Sequence, residues 1–285
     1  MYFNKHEFLE ALKLNDTNPY LAEKKYEEYF MKYPMDYNSY PYYISLLIYI
    51  GKFKKAENLL NYIKKQMIRD DKYCNNRAKI DYFNYGEFVC KMKLLFYTGR
   101  YQDAIEYYCN NASKINASDL IDNFGAVLLY CHKKLGQNNL KQDMGNNSYL
   151  FKQILDYSEN NFRNHIKKHL ISESEEENDC MFKEDFPIDT IIDEIKKYIP
   201  SNKALYNGFL NKLYYFKYDN CGRCDNKITN YFKVVTFSDN NFITMCPTKE
   251  GENLPYTDLN YIMEKNESKV KKISQIDKFN KRFKR

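Results

Sequence analysis

Between Asn18 and about Tyr157 apolar side chains return every three or four residues, a period that admits little besides packed amphipathic helices. Tyr43, Leu46, Leu47 and Ile50 form one such stripe, and Ala56, Leu59, Leu60 and Ile63 form the next. Short loops containing Gly, Asn or Pro separate the runs. Two of these junctions share one grammar, in Ile48 to Ala56 and again in Leu95 to Ala104. Each sets a glycine, then an aromatic residue two positions later, then an alanine three positions after that.

This grammar resembles the turn of a tetratricopeptide (TPR) repeat. The resemblance implies that Gly51 or Gly99 permits the tight turn between helices, Phe53 or Tyr101 plugs it, and Ala56 or Ala104 lets the helices approach closely. The second match continues through Ile105 and Tyr108, and a weaker third turn lies at Leu135-Gly136. The two clear turns are 48 residues apart, against about 34 in the repeat family. A TPR-like helical array is therefore expected over residues 1–155. It serves either as a groove for a protein or peptide, or as a scaffold packed against the rest of the chain.

Forty-four per cent hydrophobic residues in a chain of 285 supply material for real cores. The formal charge of +6 permits an acidic partner such as RNA without requiring one. The opening MYFNKHEFLEALKL is charged throughout and lacks the apolar core of a signal peptide. The longest apolar run, Tyr42 to Ile50, is short of the roughly 18 residues that read as a membrane span. Eight cysteines, six without a close cysteine neighbour, suggest reduced thiols in a cytoplasm.

Composition shifts after Leu170. Ser172 to Asp179, SESEEEND, reads as an exposed acidic loop. Pro187 followed by Ile188, Ile191, Ile192, Ile195 and Ile199 predicts a helix with one apolar face. Strands are expected at Leu213 to Tyr218, Tyr231 to Phe237 and Phe242 to Cys246, the last two as a hairpin. The fold class is thus α+β and multidomain: the helical array, then a small α+β domain with an antiparallel sheet over 156–262, then a basic tail over 263–285.

Two of the four histidines, His165 and His169, stand four apart in Asn161-Phe-Arg-Asn-His-Ile-Lys-Lys-His-Leu170, which places them on one face of a helix. Arg163, Lys167 and Lys168 surround them, and positive neighbours favour the neutral imidazole that a general base requires. Thr229, Tyr231 and Lys233 alternate along one strand and share a face.

From Asp156 to Thr248 the order of these elements, with Thr229-Asn-Tyr-Phe-Lys-Val-Val235 and Phe242-Ile-Thr-Met-Cys-Pro247, resembles the bacterial toxin-type ribonucleases of the barnase, EndoU, colicin and RelE-like fold. The resemblance implies metal-independent hydrolase chemistry on RNA: a 2′-hydroxyl attacks the adjacent phosphorus and expels the 5′-oxygen. It implies that His165 or His169 accepts the proton, while Lys233, Thr229 and Thr244 face the phosphate. It further implies an inhibitory or targeting protein partner, which the helical array could hold. Cys246 departs from the pattern, where relatives carry an aromatic or small polar residue.

No cofactor is expected on that reading. A rival places zinc on Cys221 and Cys224, spaced as a C-x-x-C knuckle, with Cys246 and then Cys180 or a histidine completing the set. The chain is then a non-enzymatic interaction module around a structural metal. Gly208 and Gly222 are isolated, so no phosphate-cradling loop is expected.

Overall fold

The computed structural model describes residues 5–111, 121–137, 158–167, 170, 180–199, 203–208, 210–225, 227–249 and 254–266. Among the described residues eight α-helices come first: α1 (Lys5–Lys13), α2 (Pro19–Lys32), α3 (Tyr40–Tyr49), α4 (Phe53–Arg69), α5 (Asp71–Cys74), α6 (Arg77–Tyr97), α7 (Tyr101–Asn111) and α8 (Ile121–Lys134). Their starts follow local chemistry. Asn18 accepts a hydrogen bond from the Leu21 amide ahead of Pro19, and Asp70 and Asn76 cap α5 and α6 in the same way.

The glycine turns are built alike. Gly51, Gly99 and Gly136 have φ of 75°, 73° and 72°. In each, the next residue's amide reaches back five positions: Lys52 to Leu47, Arg100 to Leu95 and Gln137 to His132, at 2.8–2.9 Å. This satisfies carbonyls that a helix end leaves unpaired, and only glycine adopts the left-handed turn without strain. Ala56 and Ala104 are fully buried, as a close helix approach demands.

With no Trp and 29 Tyr in the chain, aromatic rings fill the helical core. Phe30 stacks on Tyr40 at 3.7 Å and on Tyr26, which in turn stacks on Tyr43. The Tyr29 hydroxyl donates to the Asp36 carboxylate at 2.6 Å.

The C-terminal part is a curled antiparallel sheet that carries, among the described residues, α9 (Glu159–Lys167), α10 (Ile188–Tyr198) and a helical stretch over 259–266. Its strands are β1 (Met181–Phe182), β2 (Leu205–Asn207), β3 (Asn211–Cys224), β4 (Lys227–Phe237), β5 (Phe242–Thr248) and β6 (Tyr256–Asp258). Strand β3 lies at the centre. One flank pairs with β4 throughout, and the other is divided among β2, β6, which runs parallel, and β1. The isoleucines of α10 pack on Phe162 and Ile166 of α9 and on Phe216, Phe232, Val234 and Met245 of the sheet.

The hairpin of β4 and β5 forms as expected, closed by Asn240 at φ 67°. The expected break after Tyr218 does not end β3. The strand absorbs Asn220, at φ 51°, in a bulge between Lys217 and Gly222 and continues to Cys224. Gly222 makes this possible, because a Cβ there would stand 2.2 Å from the Met181 carbonyl oxygen.

Helices and sheet share apolar cores. Phe88, Met92, Leu95, Phe96 and Phe124 enclose Leu210 and Phe237, and Tyr49 and Ile50 pack on Leu213 and Val235. The Tyr97 hydroxyl donates to the carbonyls of Asn207 and Asn211 at 2.9 and 3.2 Å, and its ring meets Tyr206 edge-on at 5.0 Å. Lys134 pairs with Asp239 at 2.7 Å. Among the described residues no helix is long and apolar enough to cross a membrane.

Candidate functional site

Strand pairing arranges the sheet face opposite α10 into rows. Leu213, Val235 and Thr244 form the first row, Tyr256, Tyr215, Lys233 and Cys246 the second, and Asp258, Lys217, Tyr231 and Thr248 the third. Helices of the N-terminal part cover the apolar end of this face at Leu213 and Val235. Thr244, at the β5 end of the first row, and the second and third rows carry the polar groups.

Helix α9 packs along β5, the edge strand, because Phe162 and Ile166 bury on one side of it and Phe162 stacks on Phe242 at 5.0 Å. That docking brings His165 around the edge, where its Nε2 lies 3.3 Å from Thr244 Oγ1. Lys233 is the diagonal neighbour of Thr244 across the β4–β5 ladder, a separation of about 7–8 Å between Cα atoms. The structure thus gathers His165, Thr244 and Lys233, with Cys246 directly opposite Lys233. Burial pushes the Cys246 thiol up, and the nearby Lys233 charge opposes that shift.

Thr229 is elsewhere. It lies on β4 six residues from Val235, the partner of Thr244, which is about 20 Å along an extended strand. Its hydroxyl is buried and donates to the Thr248 carbonyl at 2.6 Å. His169, the acidic segment 172–179 and the basic tail from 267 onward lie outside the described residues.

The positive surroundings expected for His165 are balanced. Arg163 ion-pairs with Glu159, Asp189 and Asp193 at 2.8, 2.8 and 2.6 Å, and Lys167 faces Asp189 at 3.7 Å. Hydrogen bonds from Lys196 and Arg163 hold Glu159 below the usual carboxylate range, and Arg163 does the same for Asp189. Arg163 therefore acts as a clamp between α9 and α10 instead of charging the histidine's pocket. Four-residue spacing within α9 marks only Glu159 as its partner, and Asp189 and Asp193 carry no sequence signal.

The zinc set does not assemble. Cys246 faces Lys233, whereas Cys224 pairs with Lys227, again about 20 Å away on the same strand. Residues three apart on a strand point to opposite faces. Accordingly Cys221 turns inward to the Thr229 and Tyr231 carbonyls at 3.3 and 3.4 Å, and Cys224 joins Cys180 in a disulfide. These two cysteines therefore depart from the expected reduced thiols. Among the described residues, the metal-competent cluster is Cys180, Cys224 and Asp225, and its two sulfurs are already bonded to each other.

Comparison with protein-family models, curated proteins and solved structures finds no match to this chain.

Proposed function

We propose that the C-terminal part is an endoribonuclease whose reaction runs through His165, Thr244 and Lys233. The contact of His165 Nε2 with Thr244 Oγ1, diagonal to Lys233, carries the reading. Metal-independent transesterification needs a base, a fixed cation and a donor to the leaving group. The imidazole of His165 takes the proton of the RNA 2′-hydroxyl as that oxygen bonds to phosphorus. The bond from phosphorus to the 5′-oxygen breaks, leaving a cyclic phosphate and a 5′-hydroxyl. Thr244 orients the ring, and the Lys233 ammonium offsets charge on the phosphorane oxygens. His169, four residues further along the sequence, is the candidate donor to the 5′-oxygen.

Under this reading the TPR-like helices hold a partner or select the target. Their exposed Met31, Met35, Tyr62 and Ile68 favour a second reading, an interaction module that binds protein and performs no chemistry.

The test incubates purified full-length protein with total RNA in chelator, beside His165→Ala, His169→Ala and Lys233→Ala. Cleavage that survives chelation, ends in cyclic phosphate and disappears in His165→Ala is the expected result. Absence of cleavage by the wild type, or full cleavage by His165→Ala, refutes the assignment and leaves the interaction module.

A further inference from the structure

The far end of the same sheet face collects aromatic rings from distant parts of the sequence. Parallel pairing of β6 with β3 sets Tyr256 beside Tyr215, and the Tyr256 ring meets Tyr231 of β4 edge-on, 5.6 Å between centroids at 83°. Tyr256 is 53% exposed. Residues 259–266 are helical, and there Tyr261 is 64% exposed with the Lys265 ammonium 5.8 Å from its ring centre.

Beyond Tyr231 opens a pocket of about 380 Å³ whose lining includes Thr229, Tyr231, the exposed Ile228, Lys227, Lys249 and Asp225. Two carboxylates at this end are paired, Asp225 with Lys249 and Asp258 with Lys217 at 3.6 Å. Lys227 and Lys233 add positive charge along β4.

We infer that this end of the sheet is a binding subsite for single-stranded RNA, in which Tyr256 and Tyr231 stack unpaired bases and the lysines meet the phosphates. Every base offers a flat π-face to an exposed ring, whereas a duplex keeps its bases stacked on one another and offers only its backbone. The pocket's volume lies in the range of small-ligand sites and suits one extruded base. The inference rests on the ribonuclease reading and gives it a substrate class. Tyr231 pairs with Thr248, four residues along β5 from Thr244, or about 13 Å. One continuous strand of RNA can therefore occupy both the stacking end and the His165 end.

The test titrates full-length His165→Ala protein into a labelled 12-nucleotide single-stranded RNA and into its duplex, reading fluorescence anisotropy. Tyr256→Ala in that background is expected to weaken single-strand binding about tenfold or more. Tyr256→Phe, which keeps the ring, preserves binding, and Tyr82→Ala on α6 leaves it unchanged. Tyr231→Ala is read beside these, and the exposed Tyr256 position guards against a variant that merely unfolds. No binding of RNA, equal affinity for strand and duplex, or a Tyr256→Ala protein that binds like its parent overturns the inference. The two proposals fail separately. Binding that depends on Tyr256 without cleavage by the wild type removes the chemistry and keeps the subsite. Cleavage with binding indifferent to Tyr256 does the reverse.

Discussion

Replacing Arg163 with methionine isolates what holds the His165 helix in place. The guanidinium is 18% exposed and bridges three carboxylates, one on α9 and two on α10. Those carboxylates are 42–63% exposed, so each pair is worth at most about 1 kcal/mol after screening. Methionine keeps most of the buried stem, which limits the packing loss. Glu159 retains Lys196 at 2.5 Å and Asp189 retains Lys167, leaving Asp193 as the carboxylate most affected. The expected cost is about 1–2 kcal/mol in dilute buffer, shrinking in 1 M salt as the pairs are screened. Urea unfolding at both salt concentrations measures it, with Asp193→Asn completing a double-mutant cycle whose coupling is expected at about 0.5–1 kcal/mol. A loss under about 0.3 kcal/mol, or one indifferent to salt, would show that the apolar contacts of Phe162 and Ile166 dock α9 unaided.

Three further outcomes follow from the packing. Gly222→Ala is expected to destabilise by about 2–3 kcal/mol, because its Cβ would press on the backbone of Met181 and Phe182. Gly99→Ala, at φ 73° with open space around it, should cost only about 1 kcal/mol of backbone strain, and urea midpoints separate the two cases. Tyr97→Phe removes one shared hydroxyl proton and should cost about 1 kcal/mol, while Tyr97→Ala empties the seam between helices and sheet and should cost about 3–5 kcal/mol. Because Glu159, Asp189 and Asp239 titrate below their ordinary values, their contribution is fully present above those values and lost as pH falls through the lowered ones. Melting temperature should therefore hold from pH 7 to about 5 and drop below about pH 4.

What the sequence disclosed depended on how local its signal was. The glycine turns were readable because glycine takes a positive φ without strain, and α10 because five isoleucines repeat a helical period. The β4–β5 hairpin was readable for the same reason, with its turn residues adjacent. Strands β1, β2 and β6 have only two or three residues each, too few to show a period. The continuation of β3 past Asn220 depended on β1 lying alongside, which no local pattern encodes. At the candidate site, His165 and Thr244 meet across 79 residues, and Thr229 shares a face with Lys233 without sharing a neighbourhood. Alternation fixes the side of a sheet but not the distance along it. The C-x-x-C spacing misled for that reason, since on a strand it sends its sulfurs apart.

The divided flank of β3 also sets a timetable for synthesis. Strand β1 is made 40 residues before Gly222, its place on β3, and β6 arrives 41 residues after Tyr215, its own. At about 5–20 residues per second, the middle of β3 waits roughly 2–8 seconds after its own synthesis for this last strand. During that interval the middle of β3 is a bare edge, the kind of surface on which strands of other chains add themselves. Strand β6 closes this edge and carries the half-exposed Tyr256, so a growing chain acquires protection from aggregation and the ring of the proposed stacking site in the same step.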